Sequence, residues 1–268
     1  MLIAGYGTPK YMKMEARTAA NTASTARTEI VLAGLGLYKR FGKLEVLSQV
    51  DFSVGSAEAV GIVGPNGAGK TTLLSVLAGS LTPSAGTVRL DGQDVTRLRP
   101  ELRCRRGIGR AFQIPRPFGG MTVLENVVVG TAHGARLSQK DLYKRCIDVL
   151  ELCGLIDLAN RRAESLGLLH RKRLELARSL STNPRVLLLD EIGGGLTDAE
   201  ATELVSTINQ LRQLGLSIVW IEHVVHILVQ VVDRLICMDA GRVIADGEPS
   251  EVLRDAMVVD AYLGKTRT

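Results

Sequence analysis

The stretch GPNGAGKTTLL, residues 64–74, places three glycines, a lysine and two threonines directly before an apolar run. Gly64, Gly69, Lys70 and Thr71 fit the pattern G-x4-G-K-[ST]. Glycines let backbone N–H groups turn towards an anion without a Cβ in the way, and a following helix N-terminus adds partial positive charge. The pattern therefore predicts a loop that binds the phosphates of a nucleoside triphosphate.

The motif predicts a role for each polar side chain of this phosphate loop. We expect Lys70 to reach the β- and γ-phosphates and the Thr71 hydroxyl to reach Mg²⁺. Because GTPases, kinases and ATPases share such a loop, residues elsewhere must decide among them. The residues predicted to bind the nucleotide here are Gly64, Pro65, Asn66, Gly67, Ala68, Gly69, Lys70, Thr71 and Thr72.

Two adjacent acids end a second apolar run, VLLLDE at residues 186–191. This is the pattern of a Walker B strand, in which Asp190 holds Mg²⁺ directly or through water. Glu191 is then placed to act as a general base on the attacking water. Placing a carboxylate at the end of a buried strand costs free energy unless the carboxylate has a partner. We therefore favour a functional role for the two acids over the alternative that they only begin a helix.

Strands must alternate with helices to bring these residues together. Short apolar runs at 57–64, 186–191 and 216–222 predict strands, each followed by a helical pattern. Residues 29–55 predict short strands separated by glycines. From about residue 115 to 180 the pattern is helical and predicts an insertion in the sheet. Ligands of open α/β sheets bind at the carboxyl ends of the strands. There we expect Gly64, Gln113, Asp190, Glu191 and His223 to meet.

The composition excludes several other classes. The 268 residues carry a formal charge of +5, but basic residues are scattered and aromatic residues make up only 4%, so few rings could stack on bases. Nucleic acid is therefore not an expected partner. The cysteines form no CxxC pair and no zinc spacing, and we expect reduced, mostly buried thiols. They are Cys104, Cys146, Cys153 and Cys237.

Two segments resemble targeting or membrane sequences only superficially. Residues 214–232 are mostly apolar, but Glu222 and His223 interrupt them, and a charged group at a bilayer centre costs at least ~2.5 kcal/mol. We predict a buried strand at 216–222 followed by a helix. Residues 1–28 are polar, lack the apolar core of a secretory signal, and are predicted to be a disordered tail.

From residue 29 to about 264 the chain resembles the ATP-binding subunit of an ABC transporter. KRFG resembles the A-loop of that family, which implies that Phe41 stacks on adenine. RAFQ resembles the Q-loop, which implies that Gln113 contacts Mg²⁺ and the permease. WIEH resembles the switch region, which implies that His223 contacts the γ-phosphate. With Glu191, these two polar residues form the expected catalytic set.

The same resemblance implies an architecture. It is an α/β fold: a P-loop NTPase core of the RecA-like type, with an antiparallel β subdomain and an inserted α-helical subdomain at about 115–180. Residues 29–268 would form this ATP-binding domain. The cofactors implied are ATP and Mg²⁺, and the activity implied is ATP hydrolysis coupled to transport.

Two longer stretches narrow the resemblance. Residues 110–130, RAFQIPRPFGGMTVLENVVVG, and residues 258–264, VVDAYLG, resemble the branched-chain (hydrophobic) amino-acid uptake subfamily, whose relatives also move urea, amides or aromatic acids. This implies integral-membrane permease subunits, a second ATP-binding subunit and, indirectly, a periplasmic substrate-binding protein. The chain would lie at the cytoplasmic face of the cell membrane. Its substrate is read by the permease and the binding protein.

The ABC signature, LSGGQ in the family, is degenerate in this chain. Counted back from KRLELARSL, its positions hold LGLLH: Leu166, Gly167, Leu168, Leu169 and His170. The signature points a serine hydroxyl and backbone N–H groups at the γ-phosphate held by the other subunit. Gly167 has no hydroxyl, and the two leucines replace glycines that allow close backbone approach. Milder departures are Ile192 for the family proline and Thr197 for the D-loop aspartate.

Two hypotheses follow from the degenerate signature. In a heterodimer, the site that uses Lys70 and Glu191 with the partner's signature would hydrolyse ATP, whereas the site that uses residues 166–170 of this chain would turn over slowly. Alternatively, the change is a tolerated subfamily variant with two working sites. Both remain open from the sequence, as does a homodimer.

Other functions compete with amino-acid uptake. Exporters of lipid or lipopolysaccharide are close relatives, and some ABC ATPases act without a permease. A translation-type member would carry two phosphate loops, and a repair-type member would need a long coiled coil that 268 residues cannot hold. A GTPase would carry a guanine motif of the NKxD type, which the sequence lacks.

Overall fold

The computed structural model describes residues 29–134 and 138–263. The tail predicted at residues 1–28 lies outside the described residues. Strands alternate with helices through the second half of the chain, as the periodicity predicts. The strands are β1 (Ile30–Phe41), β2 (Leu44–Gly55), β3 (Ala59–Val63), β4 (Ala85–Leu90), β5 (Gln93–Asp94), β6 (Ile108–Ala111), β7 (Val186–Asp190), β8 (Ser217–Ile221), β9 (Arg234–Asp239) and β10 (Arg242–Gly247).

Several helices begin or end at residues that typically cap helices. Gly79 closes the helix after the phosphate loop in a left-handed conformation, and Thr197 and Glu200 form a capping box before the helix that follows β7. The helices are α1 (Lys70–Ala78), α2 (Pro100–Arg105), α3 (Val123–Gly134), α4 (Gln139–Leu152), α5 (Leu168–Ser181), α6 (Asp198–Gln213), α7 (Val225–Leu228), α8 (Pro249–Val252) and α9 (Ala256–Leu263).

A six-stranded sheet in the order β10-β9-β3-β8-β7-β6 aligns the functional strand ends. From β9 to β6 neighbouring strands are parallel, and β10 adds an antiparallel edge. Strands β3, β7 and β8 are buried along their whole length, which is why they read as continuous apolar runs. Their carboxyl ends lie at one edge of the sheet, so the residues that follow them can meet there.

A second, antiparallel sheet has the order β2-β1-β4-β5. The sequence predicts short strands between glycines here, and this prediction is wrong, because β1 and β2 each run for 12 residues. Register shifts absorb the glycines instead. One lies between Gly34 and Leu37 in the β1–β2 pairing, where Gly36 has a φ of 53°, a value that glycine adopts without strain.

The helical insertion starts later than the sequence indicates. Residues 115–121 are turn and loop, and α3 begins at Val123, because Pro115, Pro117 and the pair Gly119-Gly120 disfavour a helix. Helices α3, α4 and α5 pack on one another and on the sheet through a shared apolar core. The segment predicted as strand and helix at 216–232 holds β8 and only a one-turn helix, α7.

The four cysteines carry free thiols. Cys146, Cys153 and Cys237 are buried and Cys104 is half-buried, which agrees with the expectation of small buried residues. Burial raises the pKa of Cys153 to about 12, so its thiol stays protonated and unreactive. In the described part of the chain, no helix has both the length and the apolar character needed to cross a membrane.

Candidate nucleotide site

The phosphate loop between β3 and α1 requires glycine at two of its positions. Gly64 and Gly69 have φ values of 141° and 99°, which side chains rarely adopt. A Cβ on Gly64 would lie 2.0 Å from the carbonyl oxygen of Met238, and one on Gly69 would lie 2.8 Å from that of Val46. The backbone can therefore adopt the curled conformation that the motif predicts only if glycine occupies both positions.

Lys70 lies inside the curl of the loop. Its Nζ donates hydrogen bonds to the carbonyl oxygens of Gly64 at 2.7 Å and Pro65 at 3.0 Å. Burial lowers the pKa of the Lys70 ammonium, while Glu191 and Asp190 oppose that shift. A buried cation held by weak carbonyl partners attracts an anion strongly.

An open cavity of about 260 Å³ lies over this loop. Phe41, predicted to stack on adenine, does not line it. Its ring is half-exposed at the end of β1, with Lys39 Nζ 5.0 Å from the ring centroid. The adjoining strand β2 contributes Val46 to the cavity instead. The lining residues are Val46, Asn66, Gly67, Ala68, Gly69, Lys70, Thr71, Thr72 and Glu191.

Asp190 ends β7 beside the phosphate loop. The Thr71 hydroxyl donates to its Oδ1 at 3.3 Å, and Arg110 donates to its Oδ2 at 2.7 Å. Hydroxyl and carboxylate oxygens are the donors that Mg²⁺ accepts in phosphate-binding sites, so this pair fits the metal. In the described ranges, no cluster of three or more His, Cys, Asp or Glu side chains is arranged for a metal, and phosphates would complete the shell.

Glu191 lies between side chains that follow the neighbouring strands. The Gln113 amide donates to Glu191 Oε2 at 2.6 Å, and His223 Nε2 lies 2.8 Å from Oε1. Glu191 has a φ of 48°, an uncommon value for a non-glycine residue. The parallel sheet thus brings together the catalytic set expected from the sequence, at the ends of β6, β7 and β8.

The degenerate signature lies at the start of α5, and none of its residues lines the nucleotide cavity. Gly167 is the N-cap, with extended backbone and no side-chain cap. Leu166 and Leu169 are buried, so they serve the core. Leu168 is 45% exposed, and its Cδ2 would lie 3.4 Å from a Cβ built on Gly195. His170 is half-buried.

Three side chains at the site went unpredicted. Arg110 lies two residues before Phe112 in the RAFQ stretch. A cation within an otherwise apolar, buried strand is the sequence feature that could have indicated its role. Tyr262 of α9 accepts a hydrogen bond from the Gly64 N–H at 2.7 Å. Lys172 of α5 is buried, and its Nζ lies 3.5 Å from the Gln113 carbonyl oxygen. The last two come from elements distant in sequence, so spacing does not reveal them.

Glu222 is a fourth unpredicted residue, and it stabilises the turn after β7. Its Oε1 accepts the Gly193 N–H at 2.5 Å, and Oε2 accepts the His223 N–H at 3.2 Å. Burial raises the pKa of Glu222 in spite of these bonds. A Cβ on Gly193 would lie 2.8 Å from Glu222 Oε1, which favours glycine at the first of the three consecutive glycines, residues 193–195.

Comparison with known proteins identifies the family. The family model described as ABC transporter matches residues 47–193. The chain belongs to the ABC transporter family. It is an ABC ATPase, and the ATP-binding pattern, the α/β fold with a parallel and an antiparallel sheet, and the enzyme class expected from the sequence are confirmed.

Relatives cover most of the chain. The high-affinity branched-chain amino acid transport ATP-binding protein BraF of Pseudomonas aeruginosa is 33% identical over 250 residues, 88% of this chain and 98% of BraF. The lipopolysaccharide export system ATP-binding protein LptB of Haemophilus influenzae is 32% identical over 235 residues, 88% of this chain and 98% of LptB. A nucleotide-free ATP-binding cassette from an ABC transporter superposes with a TM-score of 0.80 at 30% identity, over 88% of this chain and 100% of that one.

Proposed function

We propose that this ABC ATPase binds and hydrolyses ATP to energise an importer, with branched-chain amino acids or related small amides and acids as substrates. The observation that carries the hydrolytic role is Glu191, whose carboxylate lines the phosphate-loop cavity and contacts both Gln113 and His223. The uptake assignment is supported by the likeness to BraF and by the stretches 110–130 and 258–264.

Each residue of the site then has a role. Glu191 acts as general base on the attacking water, His223 contacts the γ-phosphate, and Gln113 contacts Mg²⁺ and senses the permease. Lys70 exchanges its carbonyl partners for the β- and γ-phosphates. Phe41 stacks on adenine from the β1–β2 hairpin, whose next residues reach the cavity at Val46.

Mg²⁺ would be held by Thr71, Asp190 and Gln113. When bound, it neutralises charge on the phosphates. Thr71 and Asp190 already face each other across 3.3 Å, so the chain presents two oxygen ligands at the base of the phosphate loop. The Gln113 side chain lies at the same edge of the sheet, where its amide donates a hydrogen bond to Glu191.

The permease is proposed to dock at a groove beside the Q-loop. A cavity of about 440 Å³ lies between α2, β6, α3 and α5, and large apolar side chains on residues 112–121 are exposed next to it. Exposed apolar groups concentrated in one segment favour a protein contact. They are Phe112, Ile114, Phe118 and Met121. With such a contact the chain would lie at the cytoplasmic face of the cell membrane, and a periplasmic binding protein would deliver substrate to the permease.

The second ATP-binding subunit is proposed to supply the better signature. Gly167 and Leu168 are exposed at the N-terminus of α5, where backbone N–H groups can still meet an anion, but this chain offers no serine hydroxyl there. A heterodimer with one fast and one slow site is therefore favoured over two equal sites. A homodimer remains the alternative arrangement.

Export is the second candidate function, because LptB and BraF each cover 88% of the chain at similar identity. The two candidates predict different partners. Co-purification with two amino-acid permease subunits and a periplasmic binding protein would support uptake. Co-purification with lipopolysaccharide-export membrane subunits would contradict it.

Two substitutions test the hydrolytic role in the purified complex. Lys70→Ala should reduce ATP hydrolysis about 10²- to 10³-fold because preorganised charge on the phosphates is lost. Glu191→Gln should also abolish most turnover while ATP still binds, and Glu151→Gln, an exposed acid on α4, is the matched control. If Glu191→Gln keeps most of the turnover, the general-base assignment and the asymmetric dimer both fail.

A further inference from the structure

Arg110 connects three parts of the site. Its Nη2 lies 2.7 Å from Asp190 Oδ2, and its Nη1 donates to Ser75 Oγ at 3.2 Å. The side chains of Arg110 and Asp190 are only 10% and 6% exposed. Ser75 lies on α1, the helix that carries Lys70 and Thr71. The guanidinium therefore links β6 to the carboxylate and to the phosphate-loop helix.

The two oxygens of Asp190 have separate partners. Oδ2 accepts from Arg110, and Oδ1 accepts from the Thr71 hydroxyl. A charge-assisted bond to one oxygen restricts rotation of the whole carboxylate. Arg110 thereby keeps the other oxygen aimed at Thr71, the residue that the motif assigns to Mg²⁺. This is the task of an outer-shell partner, which orients a metal ligand without touching the metal.

The other face of Arg110 meets the groove. Its Cζ lies 4.7 Å from the centroid of the Phe112 ring, and both residues line the groove cavity. Phe112 is 47% exposed, so a docked partner would cover it. The Arg110 Nε is buried without a hydrogen-bond partner, so the ring face is a main support on that side. Cation–π contacts strengthen when water is removed.

We propose that Arg110 is a positioning residue that holds Asp190 for the Mg²⁺–nucleotide complex and is itself held by Phe112 at the groove. Occupation of the groove would then alter how well the site binds Mg²⁺ with nucleotide. This rests on the proposed nucleotide function of the site. It adds a second connection between groove and site, separate from Gln113.

The test measures binding rather than turnover. The Mg²⁺ concentration that gives half-maximal binding of a fluorescent ATP analogue is determined on the full chain, with binding in excess chelator as the metal-free baseline. Arg110→Gln should raise this concentration about 10-fold or more, as for other outer-shell partners, with each variant compared against its own metal-free baseline. Arg110→Lys keeps the charge but loses the planar guanidinium that contacts Asp190 and Ser75 together. It should show a smaller shift in the same direction, and it replaces the glutamine variant in the test if that variant does not fold.

The matched control is Arg178→Gln. Arg178 lines the same groove and lies 4.9 Å from the Phe118 ring, but its carboxylate partner is Glu175. It should leave the Mg²⁺ requirement unchanged. Equal requirements in the Arg110 and Arg178 variants would overturn the positioning role.

Phe112→Leu tests the link to the groove. It keeps an apolar side chain but removes the ring face, and it should raise the Mg²⁺ requirement about 2- to 5-fold. No shift in this variant would overturn the link. If the unsubstituted chain binds no nucleotide with Mg²⁺, the proposed function itself fails, and that result is seen before any variant is compared.

Discussion

His223 Nε2 lies 2.8 Å from Glu191 Oε1, while the Gln113 amide contacts the opposite oxygen at 2.6 Å. The two donors follow β8 and β6, the strands that flank β7 in the sheet. Glu191 is therefore fixed from both sides at the edge of the nucleotide cavity. This double contact also helps to hold its left-handed backbone, a conformation that costs about 1–3 kcal/mol and persists only where neighbours fix it.

Replacing His223 should affect turnover more than binding. We expect His223→Ala to lower kcat about 10²-fold, because the contact with Glu191 and the proposed contact with the γ-phosphate are both lost, with a smaller change in the KM for ATP. Steady-state hydrolysis by the purified complex measures both. His226→Ala is the control, since His226 is exposed on α7. An unchanged kcat in His223→Ala would exclude His223 from the reaction.

Restoring the signature serine should stabilise α5. Gly167 is an N-cap with φ −68° and ψ 171°, a conformation that serine adopts at this position, and nothing lies within 4 Å of a Cβ built there. Gly167→Ser should raise the free energy of unfolding by about a few tenths of a kcal/mol, measured by urea denaturation. Gly167→Ala controls for the added Cβ and should be less stable than the serine variant.

The same variant separates the two hypotheses for the dimer. If the site that uses this chain's signature is slow because a hydroxyl is missing, Gly167→Ser should raise the ATPase rate of the assembled complex. If the rate stays the same while stability rises, the degenerate signature is a tolerated variant. The buried Leu169 should be left in place, because it belongs to the core.

The sequence predicts the strands that carry the site residues better than it predicts the antiparallel strands β1 and β2. Continuous apolar runs ending in polar residues identify β3, β7 and β8, because strands buried on both faces admit only such residues. The meeting of Glu191, Gln113 and His223 then follows from parallel topology. Strands β1 and β2 are longer than the sequence predicts because register shifts let glycines stay inside a strand.

Contacts from distant segments are the other part that sequence patterns miss. Arg110 and Asp190 are 80 residues apart, and Gly64 and Tyr262 are 198 apart. Neither pair has a fixed spacing that could be read from the chain. Cation and hydroxyl side chains also occur often on surfaces, so their burial at a site becomes visible only when the fold brings the partners together.

The hydroxyl of Tyr262 should stabilise the phosphate loop from the C-terminal helix. It accepts the Gly64 N–H at 2.7 Å, so Tyr262→Phe would leave that donor without its partner at a cost of about 1–3 kcal/mol. We expect a lower free energy of unfolding and weaker ATP binding, measured by urea denaturation and by nucleotide titration. Tyr143→Phe, at an exposed position on α4, is the control. Equal ATP affinity in both variants would show that α9 does not support the loop.

Asp148 on α4 should make the folded state less stable as the pH rises. Burial raises the pKa of its carboxyl from 3.8 to about 6, with Glu151 adding repulsion, and its Oδ2 is buried without a hydrogen-bond partner. The folded state therefore binds this proton more tightly than the unfolded chain does. Its contribution to the free energy of unfolding falls between about pH 4 and pH 6 and stays low above that window.

Asp148→Asn removes this charge and tests the sign. Since Asp148 is only half-buried and solvent screens part of the effect, the variant should be more stable than the unsubstituted chain by about 1 kcal/mol at pH 7–8. The difference should vanish below about pH 3, where the aspartate is neutral in both states. Urea denaturation across this range measures it, with Asp157→Asn, an exposed residue, as control. Because other carboxyls also titrate, the pH dependence of the difference between the two proteins is the decisive quantity. A variant that is less stable at pH 7 would mean that the charged carboxylate has a stabilising partner instead.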